Sequence, residues 1–79
     1  MEQIISSPKA LGNAIKRQRK GKKLSQQKAG SAFKIEQTTV SSIEGGASGT
    51  RLETVFRMLA ALGLEMVIRP IQKNTKEHW

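Results

Sequence analysis

Residues 25–44, SQQKAGSAFKIEQTTVSSIE, constrain this chain more than any other stretch. Ser25 can cap a helix that starts at Gln26, its hydroxyl accepting from N–H groups that a first turn leaves free. Ala29, Ala32 and Phe33 recur at helical spacing and give that short helix one apolar face. Lys34 and Ile35 interrupt it. In the periodic run that follows, Val40 and Ile43 point one way, and Gln37, Thr38, Ser41 and Ser42 point the other. The second face holds only short, uncharged hydrogen-bonding side chains.

A face of that kind is suited to the edges of base pairs. Gln pairs bidentate with adenine, Ser and Thr serve either partner, and Thr offers a methyl to thymine. A helix-turn-helix requires this division: an inner seam of small and branched apolar residues and an outer polar face for the major groove. Two ordinary amphipathic helices with a solvated outer face satisfy the same spacing, so the rest of the chain has to discriminate.

Charge does most of that work. The chain has 14 Lys and Arg against 6 Asp and Glu, a formal net charge of +8. A field of that sign draws phosphates and anionic surfaces. A membrane surface fits less well, because the basic residues do not lie opposite a broad Trp/Phe/Leu face on one long helix. At 79 residues and 37% apolar content this is one small domain with a thin margin of stability, which a partner subunit would widen. There is no cysteine, hence no disulfide and no thiolate metal site, which fits a reducing cytoplasm. The sole histidine, His78, is next to the last residue, so no histidine metal cluster is available and no cofactor is expected. No apolar run reaches membrane-spanning length, and MEQIISSPK lacks the basic-then-apolar order of a signal peptide.

In chain order, residues 1–6 read as an arm holding Ile4 and Ile5. Ser7-Pro8 is an N-cap followed by proline in the first helical turn. Ala10, Leu11, Ala14 and Ile15 then form the buried stripe of a helix reaching about Lys20, slightly weakened by Gly12. The exit KRQRKGKK carries six of the 14 basic residues: Lys16, Arg17, Arg19, Lys20, Lys22 and Lys23. Capping a helix dipole does not require so many, and they are assigned as a phosphate-facing cluster. Gly45-Gly46 closes the central unit. Thr50-Arg51-Leu52-Glu53 has the capping-box form T-x-x-E ahead of a core stripe of Leu52, Val55, Phe56, Leu59 and Leu62, and Gly63 stops that helix. The period then changes to 2: Leu64, Met66 and Ile68 alternate with Glu65 and Arg69, Val67 lies on the outer side, and Pro70 ends the run. A lone strand cannot satisfy its own backbone, so residues 64–71 are either a frayed tail or a strand pairing with a second copy. Residues 72–79 form a polar tail apart from Trp79.

Catalysis finds no support. No nucleophile elbow or phosphate loop is present, and Glu36 and Glu44 read as a helix-start charge and a structural carboxylate beside Gly45. This is not an enzyme.

The order of a basic helix, L-S-Q at 24–26, a turn, I-E at 43–44 and a closing T-x-x-E helix resembles the phage-repressor-like helix-turn-helix family. Its usual pattern is L-S-Q-x-x-L-A…G-V…I-S-x-I-E-x-G. Here Ala29 and Gly30 replace the leucine and alanine, and Lys34 replaces the turn glycine, so Lys34 must take a positive φ or the turn must differ. Within that family the chain is most similar to the HipB-like antitoxins of Hip toxin–antitoxin modules, through Ser7-Pro8, Leu11, Asn13-Ala14, Lys16, the ungapped spacing to Ser25-Gln26, and the carboxyl-terminal Trp79. The resemblance covers residues 5–79. It implies an all-α, lambda-repressor-like bundle of four to five helices, with one short C-terminal strand pairing across a homodimer through Leu64, Met66, Val67 and Ile68. By position it places Gln26 and Gln27 on the phosphate backbone, with Thr39 and Ser42 beside them, and puts Glu36, Gln37, Thr38 and Ser41 on the base-reading face. Glu36 stands where a basic or small residue is more usual; its carboxylate can accept from cytosine N4 or repel phosphate. The implied function is that of a bacterial cytoplasmic, nucleoid-associated repressor of its own operon, binding double-stranded operator DNA and a HipA-like serine/threonine kinase toxin. Trp79 is implied as an anchor in the toxin, though an indole there can also pack on its own domain.

On this reading residues 1–6 are an arm, 7–63 the DNA-binding domain, 64–71 a dimerisation strand and 72–79 a tail. Two rivals remain: a stand-alone phage-type repressor without a toxin, and a small basic RNA-binding protein. The second lacks stacking aromatics, provided that Phe33 and Phe56 both lie in the core.

Overall fold

Ser7 starts the fold: its hydroxyl accepts from the Ala10 N–H at 3.0 Å, and Pro8 fills the first helical turn of α1 (Pro8–Gly21). Ser25 does the same for α2 (Gln26–Ser31), accepting from the Lys28 N–H at 3.1 Å. Glu36 is the N-cap of α3 (Gln37–Glu44), without a side-chain capping bond, and Arg51 that of α4 (Leu52–Ala61), again without one. This computed structural model describes residues 2–71. Among them the fold is all-helical, with α3 packed on both α1 and α2, and α2 on α4. No helix among the described residues is long and apolar enough to cross a membrane.

The core gathers Ile15, Ala29, Ile35, Val40, Ile43, Val55, Met58, Leu59 and Leu62, with Leu11, Leu24 and Leu64 half-buried against it. Ile15, Val40, Met58 and Leu62 are completely enclosed. Each such side chain stabilises the fold by about 1.5–3 kcal/mol relative to exposure. The inner seam of α3 is therefore as the spacing predicts. Gly12, expected only to weaken α1, is a packing requirement: a Cβ there would lie 2.3 Å from the Ile43 carbonyl oxygen. α1 and the end of α3 touch backbone to backbone at this point.

Several expectations are corrected. Ile35, which interrupts the helical spacing in the sequence, is buried and belongs to the core. Phe33 lies beyond the end of α2 and is 39% exposed, and Ala32 is also exposed, so the apolar face of α2 reduces to Ala29. In α4 the buried set is Val55, Met58, Leu59 and Leu62, while Leu52 and Phe56 are 64% and 48% exposed. Both stripes are helical and share Val55, Leu59 and Leu62. The choice between Met58 and Phe56 is a rotation of α4 about its axis, set by its neighbours. Thr50 does not cap α4. The helix begins one residue later than the capping box requires, which leaves Thr50 outside the cap and Glu53 in the first turn.

Residues 64–71 carry neither helix nor strand in the single chain. Leu64 tucks against the core, whereas Met66, Val67 and Ile68 are exposed, Ile68 almost fully at 93%.

Candidate nucleic-acid interface

α3 presents the outer face expected of it. Gln37, Thr38, Ser41 and Ser42 are exposed, Glu36 is exposed at its start, and Thr39 is half-buried, while Val40 and Ile43 hold the opposite face in the core. Short polar side chains on a helix anchored in this way carry little conformational freedom, which favours directional hydrogen bonding to a partner. Thr38, Thr39 and Ser42 also line an open cleft of about 400 Å³ with Gly49, Thr50, Arg51 and Thr54. Arg51 stands at the mouth of α4, where the capping-box pattern had placed it inside the helix.

The basic cluster is reduced by one. Lys16, Arg17, Lys20, Lys22 and Lys23 are exposed, Arg17 donating from Nη1 to the Gln3 side-chain oxygen at 3.2 Å. Arg19, expected with them, faces inward. It is buried, its Nε donating to Glu44 Oε2 at 2.6 Å, its Nη2 to Glu44 Oε1 at 3.0 Å and its Nη1 to the Leu24 carbonyl at 2.7 Å. The reason is register: Arg19 is one helical turn beyond Ile15, on the inner face of α1, whereas Lys16, Arg17 and Lys20 are on its exposed side and Lys22 and Lys23 follow its end.

Glu44 receives a third donor, Gln26 Nε2 at 3.2 Å. Gln27 is exposed; Gln26 is half-buried, with part of its amide committed to this network rather than free for phosphate. The three side chains tie the end of α1, the start of α2 and the end of α3 together. Burial alone would push the Glu44 carboxyl up, but the hydrogen bonds from Arg19 and Gln26, with the charges of Arg19 and Lys16, overcome it and hold the carboxyl below its ordinary value. The hydrogen bond to Glu44 raises Arg19 in turn, against its own burial. Glu44 is thus the structural carboxylate that its position beside Gly45 predicts.

A model of the helix-turn-helix domain family matches residues 6–70. The chain belongs to that family. Among solved structures this helix-turn-helix chain is similar to HipB in a HipA–HipB–O2–O3 complex, with a TM-score of 0.84 and 32% identity, covering 90% of this chain and 100% of that one. It is equally similar to HipB in an O2 20mer complex (TM-score 0.85, 32% identity, 91% and 100% coverage). HipB in an O4 20mer complex matches with a TM-score of 0.84 and 32% identity, at 90% and 100% coverage. Comparison with curated proteins finds no match. The departures from the usual helix-turn-helix pattern at Ala29, Gly30 and Lys34 leave the fold intact; Lys34 takes the positive φ, at 59°. Trp79 lies outside the described residues.

Proposed function

We propose that this chain is a sequence-specific DNA-binding repressor, the antitoxin of a HipA-type kinase, acting in the cytoplasm on the operator of its own operon and not as an enzyme. One observation carries the reading: the exposed Gln37, Thr38 and Ser41 surface of α3, held rigid by Val40 and Ile43, in a chain alike over 90% of its length to HipB in complex with HipA. Glu36, Gln37, Thr38 and Ser41 read bases. Lys16, Arg17, Lys20, Lys22, Lys23 and Gln27, with Thr39 and Ser42, meet phosphates. Arg51 at the mouth of the adjoining cleft joins them.

The exposure of Phe33 and Phe56 removes one argument against RNA, since both aromatics are available to stack. Duplex DNA remains the better partner, because neither aromatic is on α3 and the polar face of α3 is. A second copy pairs through Leu64, Met66, Val67 and Ile68, and Trp79 anchors the kinase.

The test is a salt titration of duplex binding. If about four phosphates per subunit are neutralised, a dimer shows a log–log slope of roughly −7. A flat response would remove the nucleic-acid reading. Co-expression with the HipA-type kinase tests the antitoxin half: capture of the kinase by the full chain but not by a chain lacking Trp79 is the expected result.

A further inference from the structure

All four helices end in one hydrogen-bond pattern. After α1, the Leu24 N–H donates to the Arg19 carbonyl at 3.2 Å and the Lys23 N–H to that of Lys20 at 2.9 Å. After α2, Ile35 donates to Gly30 at 2.9 Å and Lys34 to Ser31 at 3.2 Å. α3 closes with Ala47 to Ser42 and Gly46 to Ile43, both at 3.0 Å. α4 closes with Leu64 to Leu59 at 2.8 Å and Gly63 to Ala60 at 3.1 Å. This closure puts one residue per helix in the left-handed region, where glycine sits without a steric penalty. At α3 and α4 that residue is glycine, Gly46 at φ 85° and Gly63 at φ 70°. At α1 and α2 it is lysine, Lys23 and Lys34, each at φ 59°.

The chain therefore uses the unstrained residue at two of four equivalent positions and a strained one at the other two. Both lysines are exposed, and among the described residues neither ammonium makes an ion pair within the chain. A left-handed lysine gains nothing from its backbone, so its side chain is the reason to look for a use. The two are placed alike. Lys23 stands just before the Ser25 cap of α2 and Lys34 just after the end of α2, two residues ahead of Glu36 at the mouth of α3. Arg57 donates to the Phe33 carbonyl of this second turn at 3.4 Å and adds a positive charge beside it, with the carboxylate of Glu36 two residues along the chain.

The geometry points to Lys34 as a contact to the phosphodiester backbone of duplex DNA, the counterpart of Lys23, so that α2 is held against phosphates from both ends. This rests on the DNA-binding reading above. Strain and charge then have opposite consequences in Lys34→Gly, and that opposition is the test. The full chain and its K34G, K34N and K34R variants are melted, then titrated at several salt concentrations with a duplex selected by the wild type and with a random duplex. K34G and K34N should melt at or above the wild-type temperature. They should bind both duplexes about three- to tenfold more weakly, with the salt slope shallower by about 0.9 for each subunit; K34R should keep the slope. Unchanged affinity and slope in K34G, beside a steep wild-type slope, would overturn the Lys34 contact alone. A flat wild-type slope would overturn the DNA reading and this inference with it. A fall in the melting temperature of K34G would show that lysine is no burden there, and would remove the premise.

Discussion

The ion pair joining α1 to α3 and the exposed apolar side chains of α4 and residues 64–71 treat water in opposite ways. In the first region charge is inside. Arg19 and Glu44 are 8% and 7% exposed, each engaged through its charged atoms, and among the described residues no buried side-chain nitrogen or oxygen lacks a hydrogen-bond partner. In the second region large apolar groups are outside: Leu52, Phe56, Met66, Val67, Ile68 and Ile71 range from 45% to 93% exposed. The difference separates what one chain completes alone from what it leaves for another. A buried pair in which each charged nitrogen and oxygen has a partner is finished within the monomer, and removing either residue leaves a bare charge in the interior. Exposed apolar side chains gain only when a second surface excludes water from them.

The largest effect should come from Arg19→Ala, which strands Glu44. A loss of about 3–5 kcal/mol in urea unfolding is expected, against a change within about 0.5 kcal/mol for Lys20→Ala on the outer face of the same helix. Equal small losses would mean that the pair is no keystone. On the apolar side, Met66→Lys leaves the unfolding of the single chain nearly untouched but, in the dimer proposed above, puts two unpaired charges into the two-fold interface. Dimer dissociation should tighten the link between association and DNA binding, both weakening by tenfold or more on sedimentation and titration; a wild-type monomer at micromolar concentration would end the dimer reading. Next in size is a pair of glycines on α1. Gly12→Ala must push the Ile43 carbonyl away and should cost about 1–3 kcal/mol, whereas Gly21, with nothing within 4 Å of an added Cβ, should gain about 0.5–1 kcal/mol as alanine. The same sign for both would place the α1–α3 approach wrongly.

The smallest effect is acid sensitivity. Because the native Glu44 carboxyl titrates below its ordinary value of 4.5, the unfolded chain binds the extra proton first as pH falls. Its contribution is full above that value and is lost as pH drops through the lowered native one. Stability measured between pH 6 and pH 3 should fall more steeply in the wild type than in Glu44→Gln. Parallel curves would detach the ion pair from the acid response.

How much of this was legible beforehand varies with how local each cause is. The starts of α1 and α2 follow from Ser7-Pro8 and Ser25, whose hydroxyls reach N–H groups three residues on. The inward Val40 and Ile43 and the outward polar face of α3 follow from a periodicity contained within one helix. The structural role of Glu44 was legible too, though its partner was not. Arg19 looked like its neighbours in a basic run, and only a carboxylate 25 residues away distinguishes it. Met58 displaced Phe56 in the core because a helix with two workable stripes is rotated by what it packs against. Gly12 looked like a flaw in a helix until the Ile43 carbonyl was seen against it. Thr50 matched a capping pattern, yet the helix began one residue later. The Ser7 and Ser25 caps, the period of α3 and the net charge depend on neighbours along the chain, so the sequence alone determined them. Rotation, burial of a chosen cation and backbone contact between helices depend on groups brought together across the fold, and those only the tertiary structure decided.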